Sequence, residues 1–309
     1  MDRTVTTVID ADKCIGCGLC VRVCPSRTIS IRGDKAVVTG DRSLSCGHCV
    51  AVCPVDAITV HAIDPGSSSF ATFVADSRWL PHGEFNTAEL VRLMASRRSC
   101  RNFKDKPVER ALLEDLVKIG ITAPSGTNSQ VWTFTILPHR ESVTALGDQV
   151  AQFFKRRNGL AENYWLRNAL RLFGKGEIAL YYREYHQSVS EALAEWEQGG
   201  KDRLFHGATA AIVVGSGPWG STAKEDALLA TQNILLAAHS MGLGTCLIGF
   251  AVIPLLRDIR MKRSLGIPDR EKVHAVIAMG YPDETYLTVA GRKEYVRRYC
   301  KESLNEKRR

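Results

Sequence analysis

Seven of the ten cysteines lie between positions 14 and 53, spaced as thiolates that meet on metal. The stretch "CIGCGLCVRVCP" places Cys14, Cys17, Cys20 and Cys24 at C-x2-C-x2-C-x3-C, followed by Pro25. Short loops of this kind converge several thiolates on one iron–sulfur cubane. Gly16 and Gly18 lower the steric cost of the tight wrap, and Pro25 turns the chain away after the last thiolate. Two cysteine pairs separated by a longer span would suit zinc better. Cysteines spread along the chain would suit disulfides. Adding 29 to Cys17, Cys20, Cys24 and Pro25 gives Cys46, Cys49, Cys53 and Pro54. The same step carries Gly18 to Gly47 and Ile29 to Ile58. The segment therefore reads as an internal duplication, each half a cysteine loop, a short helix and a strand. Neither half is large enough to bury a core, and clusters substitute for one.

One position breaks the pattern. The second run, "DRSLSCGHCVAVCP", has Ser43 where a first cysteine would stand. Over residues 1–62 the chain resembles the bacterial two-cluster ferredoxins, in which the fourth cysteine of each run ligates the other cluster. The resemblance implies a complete [4Fe–4S] cluster on Cys14, Cys17, Cys20 and Cys53. It implies a second cluster on Cys24, Cys46 and Cys49, its fourth corner facing Ser43. Three thiolates can hold a [3Fe–4S] cluster. They can also hold a [4Fe–4S] cluster whose fourth iron takes the Ser43 oxygen, water or another side chain. Ser45 and His48 are near in sequence, and Cys100 is a remote candidate. The expectation is [4Fe–4S] over [3Fe–4S], with a potential altered by the harder oxygen ligand.

Further along, "SRRSCRNF" gathers Arg97, Arg98 and Arg101 around Ser99. Three cations and a hydroxyl on so short a stretch suit a phosphate monoester. In "APSGTNSQVWTF", Asn128 and Gln130 bracket a loop that also holds Pro124, Ser125 and Gly126. These amides are expected to be buried, and buried amides must find partners. The stretch "GSGPWG" (215–220) matches G-x-G-x-x-G after an apolar strand. No acidic residue follows about 20 positions on, and Pro218 and Trp219 crowd the turn, so a plain turn is expected there. Neither a Ser–His–Asp order nor H-E-x-x-H occurs. His239 reads as a core or interface histidine, and Cys100 and Cys246 as buried or pocket thiols.

The elements that must position these groups follow from pattern. After "VDAITVHAI" a Pro/Gly/Ser segment, residues 63–83, reads as a linker. Asn86 is expected to cap the helix "TAELVRLMASR", with Glu89 returning the bond. Pro107 stands early in a second helix whose apolar stripe is Leu112, Leu113, Leu116 and Val117. "VWTFTILP", "ATAAIVVGSG" and "KVHAVIAMGYP" read as strands, and "KEDALLATQNILLAAHSMG" as a long helix. A helical insertion occupies about 148–206, rich in Phe153, Phe154, Tyr164, Trp165, Phe173, Tyr181 and Tyr182. It either roofs a pocket or packs at a dimer interface. The fold class is α+β: a mixed sheet flanked by helices in residues 84–309. The 309 residues are 45% apolar with a formal charge of +8. No stretch is apolar enough for a membrane span, and no signal peptide opens the chain. The arginines do not alternate with strand aromatics, which argues against nucleic acid. A cytoplasmic protein is the expectation.

From about residue 84 to 300 the chain resembles the nitroreductase family of FMN enzymes. "SRRSCRNF", "APSGTNSQVWTF" and "NILLAAHSMGLGTCLIGF" with "AMGYP" carry the likeness, in that order. Val131 stands where the family often has proline. The resemblance implies that Arg97, Arg98, Ser99 and Arg101 hold the FMN phosphate and ribityl chain. Arg292 is the late phosphate contact it implies, with Lys293 as competitor. Pro124, Ser125, Gly126, Asn128 and Gln130 would read the ring, and Ile248 and Gly249 would supply backbone near its N5 side. It also implies an intertwined homodimer. The expected activity is electron transfer from a low-potential donor such as ferredoxin or flavodoxin, through the clusters to FMN. From there electrons reach a small-molecule acceptor such as a nitroaromatic, quinone or activated alkene. A flavin dehydrogenase or reductive dehalogenase-like enzyme with ferredoxin as partner, and a non-enzymatic electron carrier or redox sensor, are the alternatives.

Overall fold

The computed structural model describes residues 2–173 and 176–300; the basic tail beyond them lies outside the described residues. Two halves build the N-terminal unit. The first is β1 (Thr7–Ile9), α1 (Leu19–Val23) and β2 (Ile29–Arg32); the second is β3 (Lys35–Val38), α2 (His48–Ala51) and β4 (Ile58–Val60). The strands pair crosswise between halves. Ile9 of β1 stands opposite Ile58 of β4, and Val38 of β3 opposite Ile29 of β2, both antiparallel. The two registers coincide under the sequence repeat, so the duplication reaches into strand pairing. The core is small: Cys14, Cys20, Ile29, Ala36, Ala57 and Ile58. Cysteines that would bind metal are thus also packing groups.

The linker is not a free tether. Asp64 caps a single 3₁₀ turn, Pro65–Ser68, through the Gly66 N–H at 2.9 Å. Asp115, fully buried, then accepts the Ala71 and Thr72 N–H groups and the Thr72 hydroxyl at 2.7–3.0 Å. Burial pushes the Asp115 carboxyl up, but those donors outweigh it and hold the group below its usual range.

In the large domain, α3 (Thr87–Ser96) is capped by Asn86, which accepts the Ala88 and Glu89 N–H groups. Glu89 pairs with Arg92 at 3.5 Å where a bond back to the cap was expected. Next, α4 spans Arg110–Gly120, and Pro107 stands before it, not in its first turn. The reason is local: Val108 is buried as part of the core and Glu109 is extended, so the helix cannot start earlier. The chain continues through β5 (Trp132–Leu137), α5 (Arg140–Glu162), α6 (Tyr164–Leu172), α7 (Glu177–Glu184) and α8 (His186–Glu197). Then come β6 (Ala210–Ser216), α9 (Ala223–Ser240), β7 (Gly244–Leu247), α10 (Gly249–Arg257), α11 (Ile259–Ser264) and β8 (Lys272–Gly280).

The sheet order is β5-β6-β8-β7, with every ladder antiparallel. A parallel bridge from Ser99 to Thr245 beside β7 makes the sheet mixed. Both faces of β6 are buried, and its side chains alternate between two cores. Ala210, Ile212 and Val214 join α4 and α9 on one face; Ala211 and Val213 join α5 and α10 on the other. Such two-faced burial explains the unbroken apolar run "AAIVV". Each Leu or Ile fully buried there stabilises the fold by about 1.5–3 kcal/mol. The "GSGPWG" stretch ends β6 and turns back, the Gly217 N–H bonding Val131 O at 2.8 Å.

Gly16 and Gly18 separate two costs of substitution. Both have positive φ, +67° and +75°. A Cβ on Gly16 would stand 2.0 Å from Asp34 O, whereas nothing lies within 4 Å of one on Gly18. Gly18→Ala should cost about 1–2 kcal/mol for the left-handed backbone. Gly16→Ala should cost about 1–3 kcal/mol more for the collision. Thermal melting and iron bound per chain should therefore both fall further for Gly16→Ala.

Candidate functional site

The N-terminal thiols line two small cavities. Cys14, Cys17 and Cys20 surround the first together with Cys53 from the other half. Cys24 crosses to the second, which Cys46, Cys49, Ser43, Ser45 and His48 also line. All seven cysteines are thiols without disulfide partners. Among the described residues no three His, Cys, Asp or Glu side chains converge as a single ion requires. A cubane takes one thiolate per iron, so its ligands stand further apart than those of one ion. The donor sets, four thiols in one cavity and three thiols with a serine hydroxyl in the other, are of the kind that iron–sulfur clusters take.

Backbone donors aim at these sulfurs in repeat-related pairs. The Thr28 N–H meets Cys24 Sγ at 3.3 Å, and the Ala57 N–H meets Cys53 Sγ at 3.2 Å. The Ser45 N–H donates to Ser43 Oγ at 3.0 Å, whereas Cys14 Sγ takes the Ala36 N–H at 3.4 Å. Ser43 is buried, as Cys14 is in the other half. Ser45 even adopts the left-handed conformation of Gly16, at φ 49°. His48 Nδ1 lies 2.8 Å from Cys46 Sγ.

The arginine segment lies along β7. Cys100 N–H bonds Thr245 O at 2.9 Å beside the Ser99–Thr245 bridge. Glycine at 244 permits this approach, since a Cβ there would stand 2.7 Å from Cys100 Cβ. Burial, then Arg292 and Arg98, lower the proton affinity of the Arg97 guanidinium. Like charges have thus been brought together, and among the described ion pairs none takes Arg97, Arg98, Arg101 or Arg292. Such a cluster is unfavourable until an anion neutralises it. Ile248 follows β7, its N–H bonded to Val276 O at 2.8 Å, and Gly249 opens α10.

Two cavities adjoin this segment. One, of 520 Å³, holds Arg98, Cys100 and His239. Burial and then Arg97 push the His239 imidazole down, so it is neutral near pH 7. It forms part of a cavity wall and is only half-buried. Burial pushes the Cys100 thiol up to about 11, its Sγ bonds Asn102 O at 3.2 Å, and it lines this cavity and not the second cysteine cavity. The other cavity, of 740 Å³, runs from Arg101, Ile248 and Gly249 to Phe154, Tyr181, Tyr185 and Phe250. Arg157 enters it with its guanidinium 4.8 Å from the Tyr181 ring centre. The aromatic insertion therefore divides. Phe154 and Tyr181 are buried at this cavity, while Tyr164, Trp165 and Phe173 are exposed.

The amide loop is built differently from expectation. Asn128 is half-buried and Gln130 exposed, because the loop's left-handed turns lift them off the core. Thr127, Asn128 and Gln130 have φ of 55°, 54° and 47°. Strain of this kind, about 1–3 kcal/mol per residue, survives only where surroundings fix it. Buried Asp226 does so, accepting Gly126 N–H at 3.1 and 3.2 Å and the Thr222 hydroxyl at 2.9 Å. Sequence reasoning missed Asp226; an acid in a helix's first turn signals only the helix dipole. Gln130 N–H bonds Ser125 Oγ at 3.1 Å, and Gln130 Nε2 donates to Asn128 Oδ1 at 2.9 Å. Asn128 Nδ2 in turn donates to Leu44 O at 2.9 Å and Ser45 O at 3.3 Å, in the second cysteine loop. Its amide is thus engaged with the N-terminal unit. The indole N–H of nearby Trp132 is buried without a partner.

One chain does not bring all these groups together. The loop of Pro124, Ser125, Gly126, Asn128 and Gln130 leads into β5, at one sheet edge, whereas Arg97–Arg101, Ile248 and Gly249 flank β7, at the other. Three inter-strand steps of about 4.8 Å separate those edges.

Comparison with known proteins identifies both parts. The model of the nitroreductase family matches residues 94–281, and that of the 4Fe-4S dicluster domain matches residues 5–60. The 4-nitrobenzoate reductase of Pseudomonas putida is 26% identical over 215 residues, 64% of this chain and 87% of its own. The iodotyrosine deiodinase of Haliscomenobacter hydrossis is 25% identical over 206 residues, 64% of this chain and 81% of its own. A nitroreductase with bound FMN from Desulfitobacterium hafniense aligns in structure over 68% of this chain and 98% of its own, at 24% identity and a TM-score of 0.47. The chain belongs to the nitroreductase family, as an FMN-binding oxidoreductase domain that follows an N-terminal 4Fe-4S dicluster domain.

Proposed function

We propose that the chain takes single electrons from a low-potential donor, ferredoxin or flavodoxin, at its clusters and spends them in pairs, through FMN, on an electrophilic acceptor. One observation carries this reading. Asn128 of the flavin domain is hydrogen-bonded to the loop that precedes Cys46, so the two redox units are coupled within bond contact. Cys14, Cys17, Cys20 and Cys53 hold one [4Fe–4S] cluster; Cys24, Cys46 and Cys49 hold the second, with Ser43 at its fourth corner. Arg97, Arg98, Arg101 and Arg292 neutralise the FMN phosphate, Ser99 bonds the ribityl end, and the backbone at Ile248 and Gly249 lies along the ring. The loop of Pro124, Ser125, Gly126, Asn128 and Gln130 completes the site from a second copy, since within one chain it sits at the wrong sheet edge. Bound FMN supplies the two-electron store and the hydride chemistry; the residues anchor it, exclude water and shape access.

The acceptor enters the 740 Å³ cavity beside Ile248 and Gly249. Its walls of Phe154, Tyr181, Tyr185 and Phe250 favour a flat aromatic. Arg157 has no carboxylate partner among the described ion pairs, and its stacked guanidinium suits an acid group on that aromatic. Nitrated or halogenated aromatic acids meet both conditions. Two relatives carry names of such substrates, 4-nitrobenzoate and iodotyrosine.

Turnover with a reduced one-electron donor should be fast and should nearly vanish when NADPH replaces it. Equal efficiency with NADPH in protein stripped of its clusters would refute the route. Arg157→Ala should raise KM for nitrobenzoate about 10- to 100-fold, the weight of one charge-assisted contact, and leave a neutral quinone unaffected. Equal losses on both acceptors would remove the acid-binding role. Ser43→Cys should alter the electron paramagnetic resonance signal of one cluster and leave the other unchanged; identical spectra before and after would exclude Ser43 from the ligand shell.

A further inference from the structure

The described hydrogen bonds between the two units fall on one patch. Among the described hydrogen bonds, those joining residues 2–62 to residues 84–300 are Arg3 Nη1 to Thr127 O and Asn128 Nδ2 to Leu44 O and Ser45 O. Leu44 and Ser45 lie between Ser43 and Cys46 and line the second cysteine cavity. The second cluster, not the first, is therefore the one at the domain boundary. Equally, the boundary lies on the amide loop at the β5 edge. The arginines lie at the β7 edge, with two strands between.

We propose that electron delivery is crossed between subunits: the dicluster unit of one copy reduces the FMN whose phosphate the other copy anchors. The inference rests on the reading that FMN is held between two copies. If Arg97, Arg98 and Arg292 of one copy grip the phosphate, the amide loop over that FMN comes from the second copy. The dicluster unit rides on that second copy's loop through Asn128. Asn128 is then a positioning residue that holds the exit cluster's loop against the shared site. Its Oδ1 is fixed by Gln130, its N–H bonds Ser125 O at 3.0 Å, and Asp226 holds the same loop at Gly126, so the amide has little freedom to aim elsewhere. Each transfer oxidises one reduced cluster by one electron. Two transfers, with two protons from solvent, reduce one FMN to its dihydro form. A dimer then carries two such paths related by symmetry, and neither exists in a monomer.

Mixed dimers decide the matter. One partner carries Arg97→Ala and Arg292→Ala and anchors no FMN. The other carries Cys46→Ala and Cys49→Ala and lacks the second cluster. Because loss of thiolates can unfold so small a domain, Asn128→Asp serves as an alternative second partner, with its clusters intact. The readout is bleaching of flavin absorbance in a single turnover after mixing with reduced ferredoxin. The cysteine homodimer should lose bleaching, and the Asn128→Asp homodimer should slow about tenfold, the rate equivalent of one lost hydrogen-bonded clasp. In the mixed dimer the FMN on intact arginines faces an intact dicluster unit across the interface. It should bleach at the parent rate, with one FMN per dimer. A mixed dimer as slow as the cysteine or Asn128→Asp homodimer overturns the crossed path. If the unaltered protein holds FMN as a monomer, or its flavin is not bleached by the donor, the shared-site reading itself fails. A flavin-loaded, donor-reducible dimer with a slow mixed species defeats the crossing alone.

Discussion

The sheet order β5-β6-β8-β7 is the constraint on which the site depends. β6 and β8 are buried on both faces, so they must be central, and β5 and β7 are forced to the edges. The segments that carry chemistry are attached to those edges. The arginines bridge onto β7 because Gly244 leaves space for Cys100. The amide loop leads directly into β5, and Asp226 ties it down from the start of α9. No local adjustment can bring the two together, because the separation is set by two fully packed strands. If a second copy completes the site, as proposed above, assembly and cofactor retention become one equilibrium.

Both halves of the site store unfavourable energy in the absence of ligand. Arg97 is half-buried beside two other guanidinium groups. Three non-glycine residues in the amide loop are left-handed, and the Trp132 indole N–H beside them is unpaired. A buried donor without a partner costs about 1–3 kcal/mol. In the N-terminal unit the thiols take up core volume that apolar side chains would otherwise fill. Cofactors bound at these sites would offset those terms, and their binding energy would contribute to folding stability.

Much of this was legible in the sequence, for identifiable reasons. The cysteine repeat could be read because identical loops recur at a fixed interval, and the strand registers obey the same interval. Apolar runs marked β6 and β8 because two-faced burial leaves no polar positions. Contacts between distant segments were not legible. Nothing local distinguishes Asp226 from a helix-end acid, or indicates that Asn128 would bond a carbonyl in another domain. Exposure of Gln130 followed from backbone twists that residue type alone does not announce. Pro107 misled because a proline before a helix and one at its first turn look alike until the packing of Val108 is known. The aromatic insertion could not be apportioned, since aromatics lining a cavity and aromatics facing outward share one helical spacing.

The departure from the repeat at Ser43 gains meaning from where the domain boundary falls. The cavity with four thiols lies within the N-terminal unit's own core, whereas the cavity with three lies against the flavin domain. Ser43 keeps the burial of its cysteine counterpart and accepts the Ser45 N–H, and it puts a harder oxygen where the repeat has sulfur. A harder ligand shifts the potential of the cluster it touches and leaves the other alone. In a two-cluster relay only the exit cluster must be matched to the flavin. On the relay proposed above, an oxygen at that corner would adjust the step into FMN while the entry cluster stays matched to the donor. The thiolate missing from the repeat thus falls in the cavity that meets the flavin domain.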